Sequence, residues 1–326
     1  MKTNFRLLAV LFLGTMLLSS CSNDENNSEL APPSSAQFGT IRANALATKT
    51  QNFSLTAGSG LVSFTSTNGV VISLNSNNLT KNGLPVTGAV NLEFVALFDK
   101  GSMLVTNKPT MGRMANGDKN LLISGGEFFV QATQGNVDLA ITSNIQLVIP
   151  SDLTGGIDDQ MLLWNGNTDD PENLVWNVVN PGTGGPQGGG IGFIQNSYYL
   201  TFGSFGWSNV DKFYNDPRPK TTILAGAPVG YDNANSAIYL SYDGEGTNAL
   251  AKLDTYNAAT SLFSEHYGQI PIGLACHVIF ATESNGQWRY AIKGVTVAAN
   301  DVYNFTLSET TVGTEAQLIA AVNAIQ

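Results

Sequence analysis

From Phe53 onward the chain alternates short runs rich in Val, Ile, Leu, Phe and Thr with Asn-Gly and Gly-rich breaks, which is the spacing of strands and turns. Between the turn signals Asn82-Gly83 and Asn116-Gly117, Val90, Leu92, Phe94 and Ala96 fall on one face of a strand, with Asn91 and Glu93 on the other. Gly126 to Ala132 reads as a second strand, Phe128 and Val130 on one face and Glu127, Phe129 and Gln131 on the other. Residues 145–150 read as a third, ended by Pro150. Met161 to Trp164 and Val175-Trp176 read as strands leading into a second half. Helical periodicity is confined to the C-terminus, where Thr314-Glu315-Ala316-Gln317 fits a capping box and Leu318, Ile319, Val322 and Ile325 form one face, predicted to pack on a sheet. The expected fold class is all-β: two β-sandwich-like domains with a short C-terminal helix.

The N-terminus carries a different pattern. Lys2 and Arg6 precede an apolar stretch from Leu7 to Leu18, then Ser19-Ser20 and Cys21. A dozen apolar residues are too few to span a bilayer as a helix and fit a signal peptide. Because the cleavage position is a cysteine preceded by Leu18-Ser19-Ser20, the segment resembles a bacterial lipobox, which implies a lipidated Cys21 and membrane attachment through acyl chains. Ser22 rather than Asp follows the cysteine, so the inner-membrane retention signal is missing, and Asp24 and Glu25 resemble surface-export signals. The expected location is the outer membrane, exposed at the cell surface. From Ser22 to about Gln37 the chain is polar, with Pro32-Pro33 and Ser34-Ser35, and reads as a disordered tether.

Composition narrows the function classes. Loss of Lys2 and Arg6 with the signal peptide takes the basic count from 15 to 13 against 25 acids, so the formal charge goes from -10 to -12. With no Lys/Arg cluster, nucleic acid is excluded as a partner. Only 12% of residues are charged and 34 are glycine, so the surface is neutral and polar. About 290 residues after the tether exceed one small sandwich and predict two domains. With Cys21 acylated, Cys276 has no intramolecular partner. The stretch Gly182-Thr183-Gly184-Gly185-Pro186-Gln187-Gly188-Gly189-Gly190 matches neither phosphate-binding glycine motif and reads as a flexible loop.

Two stretches carry a family likeness. Lys81-Asn82-Gly83-Leu84-Pro85-Val86-Thr87-Gly88 with Val90-Asn91-Leu92-Glu93, then Lys108-Pro109-Thr110 and Ser124-Gly125-Gly126-Glu127-Phe128, resembles a ZU5-like β domain of bacterial secreted proteins. Gly206-Trp207-Ser208-Asn209-Val210-Asp211-Lys212-Phe213 resembles the Gly-Trp-x-Asn-x-Asp-x-Phe signature that follows such domains in uncharacterised surface lipoproteins. The resemblance implies architecture and brings no catalytic residues. The expected order is a signal peptide over 1–20, lipidated cysteine and tether over 21–37, the ZU5-like domain over 38–152 and a second β-sandwich-like domain over 153–326.

Trp207, Asn209, Asp211 and Phe213 alternate, so all four project from one face of a strand. An aromatic ring with an amide and a carboxylate makes a sugar-binding set. The same four residues equally suit a buried seam between two domains. Asn165, Asn167 and Asp169 begin with the spacing of a calcium loop, but Asp170 stands where the turn wants glycine and Trp176 where a bidentate Glu is needed, so an ordinary turn before Pro171 is the better reading. His266, Cys276 and His277 are too few for a structural zinc, and Cys276 and His277 point to opposite faces of a strand. No G-x-S-x-G accompanies the two histidines, and nothing singles out a glycosidase pair among 25 carboxylates. The expected protein has no cofactor, is not an enzyme, and contacts a glycan or an envelope protein. A pilus-like assembly subunit and an envelope hydrolase are the alternatives.

Overall fold

The computed structural model describes residues 31–170, 172–179, 189–246, 248–265 and 268–326. The lipobox, His266 and most of the glycine-rich stretch lie outside them. In chain order the elements that carry the argument are helix α1 (Ser35–Lys49), strands β1 (Gln51–Ala57), β2 (Leu61–Thr65), β3 (Val71–Asn75) and β4 (Gly88–Leu97), and helix α2 (Lys100–Val105). Then come β5 (Met111–Arg113), β6 (Lys119–Gln134), β7 (Ile145–Pro150), β8 (Leu162–Asn167), β9 (Val175–Val178), β10 (Gly190–Ile194), β11 (Ser197–Phe202) and β12 (Gly206–Phe213). The remainder is β13 (Ser236–Tyr242), β14 (Ala275–Ser284), β15 (Gln287–Thr296), β16 (Thr311–Gly313) and helix α3 (Glu315–Asn323).

The fold is all-β with a short C-terminal helix. The principal sheet runs β1-β4-β6-β12-β8-β9-β5, and β5 also pairs with β6, closing β6, β12, β8, β9 and β5 into a ring. A second sheet, β10-β11-β7-β3-β2, covers one face of the first. Between them lies a core of Ile72, Leu74, Leu92, Phe94, Phe128, Val130, Leu147, Leu200 and Val210. Leu92, Phe94, Phe128 and Val130 are among the alternate positions that the sequence pattern assigned to one face of β4 and β6. A third sheet contains β13-β14-β15-β16, and its Ile238, Leu240, Val278 and Phe280 pack with Phe263 and Phe305. Every residue of β13 is buried because both faces are covered: Ala237 and Tyr239 enter a different core from Ile238 and Leu240.

That remaining core joins the two sandwiches. It gathers Val95, Leu97, Trp164, Trp176 and Trp207 of the principal sheet, Phe38 and Ala45 of α1, Met103 to Val105 of α2, Tyr239, Ile279 and Trp288 of the third sheet, and Leu318 and Val322 of α3. Residues 32–326 accordingly form one compact unit. The expected boundary at 152/153 cuts through the principal sheet, because β8, β9 and β12 return to pair with each other and with β6. The sheets divide after Phe213 instead.

The helices bring a second correction. Residues 34–37, assigned to the tether, open α1: Ser34 caps it, its hydroxyl accepting from the Gln37 amide and the Gln37 side chain accepting from the Ser34 amide. Phe38, Arg42 and Ala45 are its buried face. Phe38 meets Trp288 edge-on at 6.4 Å, and Arg42 crosses the Phe38 ring at 4.2 Å to reach Glu172. Thr314 caps α3 as expected, but α3 lies chiefly against α2. Two-residue turns behave as the sequence predicts at Asn82-Gly83, where both residues have positive φ and join Lys81 to Leu84 in a hairpin.

Candidate functional site

Trp207, Asn209, Asp211 and Phe213 lie on one face of β12, but that face points inward. Trp207 keeps 8% of its surface and Asn209 and Asp211 keep none. The Trp207 indole contacts Phe129 at 5.3 Å and Trp176 at 6.4 Å, and the Lys108 ammonium lies 5.3 Å from its centroid. Trp164 stands edge-on to Phe213 at 5.1 Å and donates its indole N–H to the Asp211 carbonyl at 2.8 Å. Gly166 makes this packing possible: a Cβ there would sit 2.7 Å from that of Trp207 and 3.0 Å from the Trp176 ring. No ring face is open for a sugar to stack on. The seam reading, not the sugar platform, describes these residues.

A bulge organises the polar part of the seam. Asn209 faces Glu127 across β12 and β6, whereas Asp211 faces Ser124, so Val210 alone on β12 opposes two residues on β6. Gly125 and Gly126 occupy the bulge. Gly126 has a φ of +123°, and a Cβ on Gly125 would lie 2.9 Å from the Val210 carbonyl. The Asn209 side-chain amide donates to Asp211 Oδ2 at 2.6 Å. Glu127 is wholly buried and neither carboxyl oxygen has a hydrogen-bond partner; Asn209 Oδ1 and Asp211 Oδ1 are also without one. Burial holds the Asp211 carboxyl well above the usual range, against the pull of Ser124, Asn209 and Gly125. Burial first, then Asp211, pushes Glu127 well up, with Lys108 pulling it down.

A second network ties α1 to the third sheet. Arg42 makes a bidentate pair with Glu172 at 2.7 and 2.8 Å. The Lys252 ammonium donates to the Glu172 carbonyl and to Asn107 Oδ1, which also accepts from Tyr239 at 2.9 Å. A cavity of about 60 Å³ adjoins it, lined in part by Asn173, Ser236, Lys252 and Asp254. Burial pushes the Lys252 amine down to about 8 from 10.5. Between those values the unfolded chain holds this proton more tightly, so the contribution of Lys252 to stability rises with pH from about 8 to about 10.5 and is lost as pH falls through 8. Urea unfolding at pH about 8 and about 10 is expected to show the wild type gaining on Lys252→Met by roughly 1–3 kcal/mol. Parallel pH profiles for the two proteins would contradict it.

The other candidates are ordinary structure. Asn165 lies within β8, Asn167 Oδ1 accepts from the Asp169 amide at 2.8 Å, and Asp170 closes its own turn on Glu172 and Asn173. Cys276 is buried in the third sheet's core, its thiol pushed up to about 12 by burial. His277 points away from it to Asp243 at 2.7 Å. Among the described residues no three of His, Cys, Asp and Glu are grouped to hold a metal ion. Glu127 and Lys108 were not among the sequence candidates. The available signal was Gly125-Gly126 within a strand pattern, which marks a bulge, followed by a glutamate on the face of Phe129.

Comparison with protein-family models, curated proteins and solved structures found no match.

Proposed function

We propose that this chain is a lipid-anchored cell-envelope protein with a structural or binding role at the outer membrane or cell surface. Leu18-Ser19-Ser20-Cys21 after the basic and apolar N-terminal segment is the observation that carries the reading. The short interval between Cys21 and the capped start of α1 at Ser34 supports a folded unit held near the membrane. Burial of Trp207 moves any glycan or protein contact away from the Gly-Trp-x-Asn-x-Asp-x-Phe motif, whose part is then to join the two sandwiches. The ZU5-like likeness belongs to the same proposal, and its residues 90–93 and 124–128 lie in β4 and β6.

Metabolic labelling with a radioactive fatty acid is expected to mark the wild-type protein and not Cys21→Ser, which partitions to the aqueous phase of a detergent extraction. Equal partitioning of both proteins without label would overturn the anchor.

A further inference from the structure

Where β6 and β12 pair, four side-chain oxygens on one buried face meet no donor: both of Glu127, Oδ1 of Asn209 and Oδ1 of Asp211. None of the three residues has exposed surface. Glu127 and Asn209 are directly opposed, so their Cβ atoms are about 5 Å apart, and the bulge at Gly125-Gly126 sets Asp211 one step along the same face. Asn209 spends its N–H on Asp211 Oδ2, which leaves its own oxygen and the second oxygen of Asp211 over. A proton on Glu127 does not resolve this, because a neutral carboxyl still presents an O–H and a carbonyl oxygen that need partners. Lys108 gives its ammonium to the Trp207 ring, and neither oxygen of Glu127 accepts a hydrogen bond.

We propose that Glu127, Asp211 and Asn209 hold one calcium ion within the seam. Two carboxylates and an amide oxygen supply up to five hard oxygens in irregular geometry, which calcium's flexible shell of about six to eight tolerates with water completing it, whereas magnesium demands near-ideal octahedral geometry. The charge balances, two carboxylates against a divalent ion, with Lys108 left to Trp207. The proposal is independent of the lipid anchor.

The full chain, purified in detergent and stripped with a chelator, is titrated with terbium and then with calcium chloride. The expected result is sensitised terbium emission excited through the neighbouring indoles of Trp164 and Trp207, displacement by calcium, and a calcium-dependent rise in melting temperature. Glu127→Gln is expected to lose all three while melting no lower than the chelated wild type, and Asp211→Asn to lose the emission. Wild-type protein that shows neither emission nor a melting response in millimolar calcium overturns the site, as does a Glu127→Gln protein that responds like wild type. An equal melting response to magnesium overturns the assignment to calcium.

Discussion

Trp207→Ala is expected to lose about 3–5 kcal/mol of folding stability, the cost of emptying a buried indole site that its surroundings cannot fill. The neighbours explain the size of the effect. Phe129 and Trp176 pack on the ring, Lys108 caps it, and Gly166 has no side chain to move into the space. Against a whole-domain stability of about 5–15 kcal/mol, such a loss leaves a marginal protein. Denaturant titration followed by circular dichroism measures it. In a polysaccharide-retention screen, binding lost together with the native spectrum would report the collapse of the seam. A folded Trp207→Ala protein with wild-type stability that no longer retained a glycan would reinstate Trp207 as a ligand residue.

Lys100→Met is expected to cost about 1.5–3 kcal/mol, since the buried Ile325 carbonyl loses its charged donor, while the carbonyl of the exposed Gly246 can turn to water. All six residues of α2 are buried, and the Lys100 ammonium donates to the carbonyls of Gly246 and Ile325, each at 2.8 Å. The contact belongs to a staple between α2 and α3: Asn323 accepts from the Gly101 amide and donates to Asp99. Gly101 must be glycine for α3 to approach, because a Cβ there would stand 2.7 Å from the Ile319 carbonyl. Chemical denaturation of Lys100→Met and Gly101→Ala is expected to show both destabilised. A Lys100→Met protein within about 0.5 kcal/mol of wild type, the range of an ordinary surface substitution, would mean that the Ile325 carbonyl finds another donor.

Local pattern made the strands legible and left their partners out of sight. β4, β6 and β7 each place one set of alternate apolar residues in the core between the first two sheets, so period-two reading found them. The helix α3 announced itself through Thr314 and Gln317. The helix α1 did not, because its buried face is Phe38, Arg42 and Ala45, and an arginine pointing inward toward Glu172 reads as solvent-facing until Glu172 is placed beside it. The boundary at 152/153 failed for a related reason: β8 and β12 follow it in sequence, yet β12 pairs with β6 across some eighty residues, and such pairing leaves no local trace. At Trp207 alternation identified the shared face correctly, while the Phe129 and Trp176 rings and the Lys108 ammonium that close over it come from distant parts of the chain. Glu127 was visible as a polar residue in a strand; that it confronts Asn209 depends on a register reset by the bulge.

The bond between Lys100 and the Ile325 carbonyl spans 225 residues. At ribosomal speeds of about 5–20 residues per second, roughly ten to forty-five seconds separate the appearance of α2 from that of the segment that locks it. Contacts of such long range are formed slowly even in a free chain, since loop closure precedes any gain from packing. A chain made N-terminus first therefore carries α2 without its lock until the very end of synthesis, when Leu318 and Val322 also complete the core shared by the two sandwiches.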